Sequence, residues 1–315
     1  MSYEQLAQHA AQLQQSAIIM DMRQRGFGYD KGRFTDANLS DAEVQTAVDV
    51  TSARFAGVAD MFTPFLRMPN PDAFDPLIDS LGHVATKLNS GQATLPYNGS
   101  GVLTNPELGR IDDVKALVKD WYGGAALNFK DNFLSKWYPI TSNQFALVIA
   151  LKGGIEAEMA MWKEARRNVD DLAHKAQAAL DAMLDCNPKD VAFLLTVSGS
   201  IFAVGAAVAT GGLGIGLTIV GEAVASAGAF PMTDPEKVDF SGKNARAIVN
   251  GVQDALNKLA RQIIDAENVI RDAMNNAMAV LSQNQDRVMA PRPHLADATA
   301  STVRDGTVGL GTAEG

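Results

Sequence analysis

The residues of this chain best suited to bind a metal or move a proton are four histidines, His9, His83, His174 and His294. A zinc site carried on a helix needs a second donor about one turn away, as in H-E-x-x-H, or a pair such as C-x-x-C. None of the four histidines is followed by a second histidine or a cysteine three or four residues on, and Cys186 is the one cysteine. No metal, no cofactor and no intrachain disulfide are therefore expected. The run Gly212-Leu213-Gly214-Ile215-Gly216 has the look of a nucleotide loop, but it lies in an apolar segment with no strand ahead of it and no acid in place behind it. The nucleophile elbow G-x-S-x-G is absent, and Asp112-Asp113 and Asp170-Asp171 fit helix N-termini or solvated faces. No residue is expected to be catalytic, and the chain reads as a non-enzyme.

What positions these residues is a protein with material for a real core. Hydrophobic residues make up 47% of the chain and charged residues 20%, a balance that allows folding and excludes wholesale disorder. The net charge of -9, with no long Lys/Arg cluster against it, argues against a nucleic-acid partner. The opening residues Met1 to Gln15 carry neither a basic stretch nor an apolar one, so Sec or Tat export is not expected.

Helical periodicity runs through most of the sequence. Leu6, Ala10, Leu13, Ala17 and Met20 make one stripe. The Ser40-Asp41-Ala42-Glu43 box predicts a helix start, followed by Val44, Val48, Thr51, Phe55, Val58, Phe62 and Phe65 in an unbroken 4-3 repeat, with Pro64 disturbing its last turn. A third segment carries Phe74, Leu77, Ile78, Leu81, Val84 and Leu88. Residues 91–110, rich in Gly, Pro and Asn, read as a loop after an N-terminal helical region over 1–90. Two long helices are predicted, one over 141–185 and one from near Gly242 past Leu281. Together they dominate a long-helix bundle over 111–290, and the period-less stretch 291–315 reads as a disordered tail. No strand is expected. The fold class is all-α: an elongated helical bundle with long antiparallel helices.

Between Ile111 and Trp137 the pattern pauses at one turn. Trp121-Tyr122-Gly123 is followed by Ala125, Ala126 and Phe129, on what reads as a helix–turn–helix. This resembles the W-x-G-x-A-A-x-x-F signature of the WXG superfamily, whose members form helical hairpins handled by type VII (ESX) secretion systems. The similarity extends over about 105–295 to larger actinobacterial relatives, through Asn143-Gln144, Met159 with Trp162, and the apolar run after Pro188. The resemblance implies a secreted or cell-surface protein, cytoplasmic before export by a non-Sec route, that forms homo-oligomers or binds a WXG-family partner. One signature of such substrates, Y-x-x-x-D/E, is missing at all five tyrosines.

Residues 191–230 stand apart. From Val191 to Gly221 there is no charge, and Gly211-Gly212 divides the run into two arms. The first holds Val191, Phe193, Ile201 and Val204; the second holds Ile215, Ile219 and Glu222. Each arm is near the roughly 18 to 20 residues that span a bilayer as a helix. A Gly/Ala-rich helical hairpin is expected, and three settings for it remain open: the protein core or a subunit interface, conditional insertion in a membrane, or a permanent anchor. The second setting gives the alternative function, a membrane-active or pore-forming protein, with Glu222 controlling insertion through its protonation.

Overall fold

A computed structural model describes residues 3–92, 102–184, 192–195, 236–239, 244–289, 299 and 301. The described residues are predominantly helical: α1 (Leu6–Gln24), α2 (Asp41–Phe55), α3 (Asp75–Leu88), α4 (Ile111–Leu117), α5 (Gly124–Phe129), α6 (Trp137–Leu184) and α7 (Ala245–Gln283). The chain divides into two compact units, each assembled from segments distant in sequence. One comprises residues 1–73, 157–203 and 231–269; the other comprises 74–156, 204–230 and 270–315.

In the first unit the buried faces of α1, of the 157–184 stretch of α6 and of the 245–269 stretch of α7 form the core. Leu13, Ala17, Val169, Leu172, Val252 and Leu259 are fully buried there. Polar contacts lie along α1 and α6: Gln177 Nε2 donates to Ser16 Oγ at 2.6 Å, and Arg166 Nη2 donates to the Met68 carbonyl at 2.7 Å. The guanidinium of Arg166 also covers the Tyr3 ring at 4.3 Å, and the Tyr3 hydroxyl donates to the Phe65 carbonyl.

Helix α2 starts where the sequence says it should. The Glu43 amide donates to Ser40 Oγ at 3.4 Å, and the Ser40 amide donates back to Glu43 Oε2 at 2.8 Å. The hydrogen bonds from the Ser40 hydroxyl and then from its amide hold the Glu43 carboxyl below its usual value. The unbroken helix expected from Val44 to Phe65 is not found. α2 ends at Phe55, and after a turn through Ala56 and Gly57 the chain resumes as a 3-10 helix, Asp60–Phe65, around Pro64. Gly57 favours the stop through its poor helix propensity. The buried face nevertheless continues across the break, through Phe55, Val58, Phe62 and Phe65.

The expectation of no strand is also corrected. Gly28–Asp30 (β1) pairs antiparallel with Arg33–Thr35 (β2), and Ala192–Leu195 (β3) pairs antiparallel with Glu236–Asp239 (β4). The first hairpin closes through Lys31 and Gly32, both with positive φ (47° and 83°), as a tight hairpin turn requires. Tyr29 and Phe34 face each other across it at 4.7 Å. Three-residue strands are too short for alternation to be read, and an apolar run such as Ala192–Leu195 has no period that separates strand from helix. Phe193 therefore lies on a strand rather than on a helical arm. Val191, Ile201, Val204, Gly211, Gly212, Ile215, Ile219 and Glu222 lie outside the described residues, as do Cys186 and nearly all of the expected tail.

In the second unit the first turns of α6 meet the chain just beyond α7. Asn143 and Gln144 donate to the carbonyls of Arg287 (2.6 Å) and Val288 (2.7 Å). Further on, a Cβ at Gly154 would lie 2.5 Å from the Met274 methyl, so a larger residue there would make the Met274 side chain shift. Lys152, 3% exposed, is paired with Glu156 one turn on.

Two outcomes follow from this packing. Phe62→Ala, at a fully buried ring, is expected to cost about 3–5 kcal/mol in urea unfolding. Glu158 has its carboxyl pushed up by burial and by repulsion from Glu267, partly offset by the hydrogen bond from Trp162 Nε1 at 2.8 Å. A raised carboxyl makes the ionised form destabilising, from about pH 4 upward. Glu158→Gln keeps the acceptor, so it should raise Tm at pH 7 and give no gain below pH 4 in a thermal-melt series.

Candidate functional site

The turn between α4 and α5, in the second unit, is built by a lysine and a glycine. After α4 ends, the Trp121 amide donates to the Val118 carbonyl at 3.1 Å. Gly123 then takes φ +102°, a conformation that side-chain-bearing residues avoid, and the Leu127 amide donates back to its carbonyl at 3.1 Å. The Lys130 ammonium reaches over the turn and donates to the Lys119 carbonyl (3.0 Å) and the Trp121 carbonyl (2.8 Å). It also sits 5.8 Å from the Tyr122 ring centroid. One cation thus satisfies two carbonyls of the turn that follows α4.

Four aromatic rings run from the turn into α6. Trp121 meets Phe129 at 5.8 Å, Phe129 stacks on Phe133 at 5.3 Å, and Phe133 meets Trp137 at 5.6 Å. The last two steps are i to i+4 pairs, and a turn of π-helix over Lys130–Leu134 lies within them. Such turns recur at functional sites. A second tie joins α4 to the start of α6. The Tyr138 hydroxyl donates to Asp112 at 2.7 Å, and Lys115 bridges to Asp112 at 2.9 Å while lying over the Tyr138 ring at 4.6 Å. The Tyr138 hydrogen bond and then Lys115 hold the Asp112 carboxyl below its usual value, and the same hydrogen bond raises the phenol of Tyr138.

The sequence-predicted residues Trp121, Gly123, Ala126 and Phe129 are thus gathered at one turn, and Ala125 follows Gly124 in α5. Ala126 is fully buried and Phe129 half-buried. Trp121 is 45% exposed rather than packed away at the turn, while Leu117, Tyr122 and Leu127 are more exposed still, at 84%, 81% and 60%. Pro139, of a type that usually interrupts a helix, does not interrupt this one. A break falls at Ser135 and Lys136, and α6 runs from Trp137 straight through Pro139. In the first helical turn a missing N–H leaves no hydrogen bond unmade. The Tyr138 and Lys130 ties were not legible in the sequence.

A second cluster escaped a forward reading of the sequence. In the first unit His9, Asp170 and His174 bring one ligand atom each within 4.8 Å of one another. The signal was present in part, because Asp170 stands four residues before His174; the link to His9 spans most of two helices and has no local signature.

Compared with known proteins, the chain matches no family model, no curated protein and no solved structure.

Because the Trp121 ring is nearly half exposed, Trp121→Ala should cost less than half of what Phe62→Ala costs in the same urea titration. Gly123→Val, which must hold a β-branched side chain at positive φ, should cost more than Trp121→Ala despite removing no contact.

Proposed function

We propose that this is a non-enzymatic helical protein of the WXG type that is exported by, or works beside, a type VII (ESX) secretion system, and that it acts by joining a second copy of itself or a small WXG partner. The observation that carries this reading is the exposed apolar surface at the turn. Leu117, Trp121, Tyr122 and Leu127 lie within one short helix–turn–helix and face water, on a backbone that Lys130 and Gly123 hold in place. Large apolar side chains grouped on a rigid support mark a contact surface. Leu77 and Val84 on α3, in the same unit, are also exposed. More apolar helix face is presented there than the unit itself covers.

The finer architecture belongs to the same proposal. The turn at Gly123 serves as a WXG-type hairpin, and the long helices run antiparallel in an elongated bundle. Supporting this, contacts of α6 at residues 143, 144 and 154 meet residues 287, 288 and 274, a register that descends as α6 ascends. In this reading the protein is cytoplasmic before export and then secreted or held at the cell surface.

A membrane-active role is the second reading. It is favoured by the pairing of β3 with β4, which sets the start of the charge-free run against a segment beyond its end, as an apolar hairpin between them would need. Among the described residues no helix is long and apolar enough to cross a membrane.

Light scattering and native mass spectrometry across a concentration series, alone and after co-expression with small WXG proteins, separate these. The interaction reading expects a dimer or a stoichiometric complex that Leu117→Asp with Leu127→Asp weakens at least about tenfold, with the fold intact by circular dichroism. A monomer at every concentration, with no complex formed, overturns it; flotation of that monomer with liposomes establishes the second reading in its place.

A further inference from the structure

The geometry points to a divalent transition-metal site, of the kind zinc fills, formed by His9 on α1 and by Asp170 and His174 on α6. All three belong to one unit, and nothing in the proposed secretion role depends on them or predicts them.

The donor atoms are placed as a metal needs them. His9 Nδ1 lies 3.1 Å from Asp170 Oδ1, and His174 Nδ1 lies 3.6 Å from Asp170 Oδ2. Ligands at zinc bond lengths in a tetrahedral shell stand about 3.3 Å apart; one ligand atom from each of the three residues lies within 4.8 Å of the others, so small ring rotations bring them onto one ion. The two imidazoles meet edge to face with centroids 4.3 Å apart, close enough for both rings to reach one centre. Two imidazoles and one carboxylate form a borderline donor set that suits zinc, cobalt and nickel better than calcium or magnesium. Three protein ligands leave a fourth position for water.

Burial and charge make the arrangement selective. His9 is 8% exposed, and the Asp170 and His174 side chains are 13% and 34% exposed. Among the described residues Asp170 pairs with no lysine or arginine; its ion-pair partners are the two histidines. A carboxylate this far out of water calls for a cation, and the groups aimed at it are metal ligands. The Asp170–His174 spacing presents both on one face of α6. His174 Nδ1 lies 2.7 Å from the Asp170 carbonyl, and an Nδ1–H held there leaves Nε2 as the atom that ligates the ion. Two turns further along each helix, the Ser16–Gln177 hydrogen bond holds α1 in register against α6, so His9 is delivered to the site by the fold. An ion here would clamp α1 to α6 and couple its binding to the stability of that unit.

The test uses the full chain, stripped with a chelator. Zinc titrated calorimetrically should bind at about one equivalent, raise Tm, and be reversed by chelator; cobalt in its place should give the visible absorption of a four-coordinate ion. His9→Gln, Asp170→Asn and His174→Gln should each weaken binding at least about tenfold and abolish the Tm rise, while His83→Gln changes neither. In case a variant fails to fold, the wild-type imidazole resonances supply a second readout: one equivalent of zinc should move those of two histidines and leave the other two in place. The proposal is overturned if no stoichiometric binding occurs, if binding survives in folded His9→Gln with His174→Gln, or if zinc moves the resonances of other histidines. Each of those results leaves the three residues as a hydrogen-bonded structural triad.

Discussion

The first unit depends on how closely α6 lets other helices approach. Between Ala157 and Leu180 its buried positions alternate small and large: Ala157, Met161, Ala165, Val169, Leu172 and Ala176 are all sealed from water. Alanines let neighbouring backbones draw near, and the larger residues between them fill the gaps that closeness leaves. A helix face of this kind fits only one depth and one register. The polar groups at its edges can then be placed once and for all. His9 with Asp170 and Ser16 with Gln177 repeat at the same separation of 161 residues, so α1 and α6 advance together, side by side, over two turns. A slip by one residue would break both contacts and turn the buried alanines toward larger neighbours.

The second unit solves a different problem, the ending of short helices. α4 is seven residues long and α5 six, too short to be stable by propensity. Each is held by contacts that cross its ends: Lys130 over the carbonyls after α4, Tyr138 and Lys115 on Asp112 at its start, and the aromatic stack carried from Trp121 into α6. Rigidity is thus concentrated at the turn, although its apolar side chains remain largely in water. A flexible loop with the same exposed residues would lose entropy on contact with a partner; this one is already ordered.

How much of this was legible follows from the range of each interaction. The capping box at Ser40, the two long helices and the glycine turn after Trp121 are written in adjacent residues, and the structure has all of them. Phe55, Val58, Phe62 and Phe65 were legible as a buried face but not as a broken helix, because burial is set by spacing while continuity is set by the local cost at Ala56 and Gly57. The Lys31-Gly32 hairpin was missed because strands of three residues carry too little pattern. At the candidate site, the backbone role of Gly123 was plain, whereas the exposure of Trp121 was not. A tryptophan at a helix end is equally compatible with a core or a surface until the opposing element is known, and among the described residues Phe129 is the one aromatic ring it meets.

The histidine cluster shows the same limit from the other side. Metal signatures are recognised when their donors share a helix or a loop, and His174 with Asp170 is half of such a signature. The missing donor comes from α1, whose position is decided by the packing of Leu13 and Ala17, residues with no chemistry of their own. Chemistry at that point is therefore a consequence of core packing, and no local rule could have found it. The turn at Trp121 is the converse, because its geometry is local and its surface is left unfilled by its own unit. The first cluster is completed by the fold of one chain; the second, in the function proposed here, is completed by another chain.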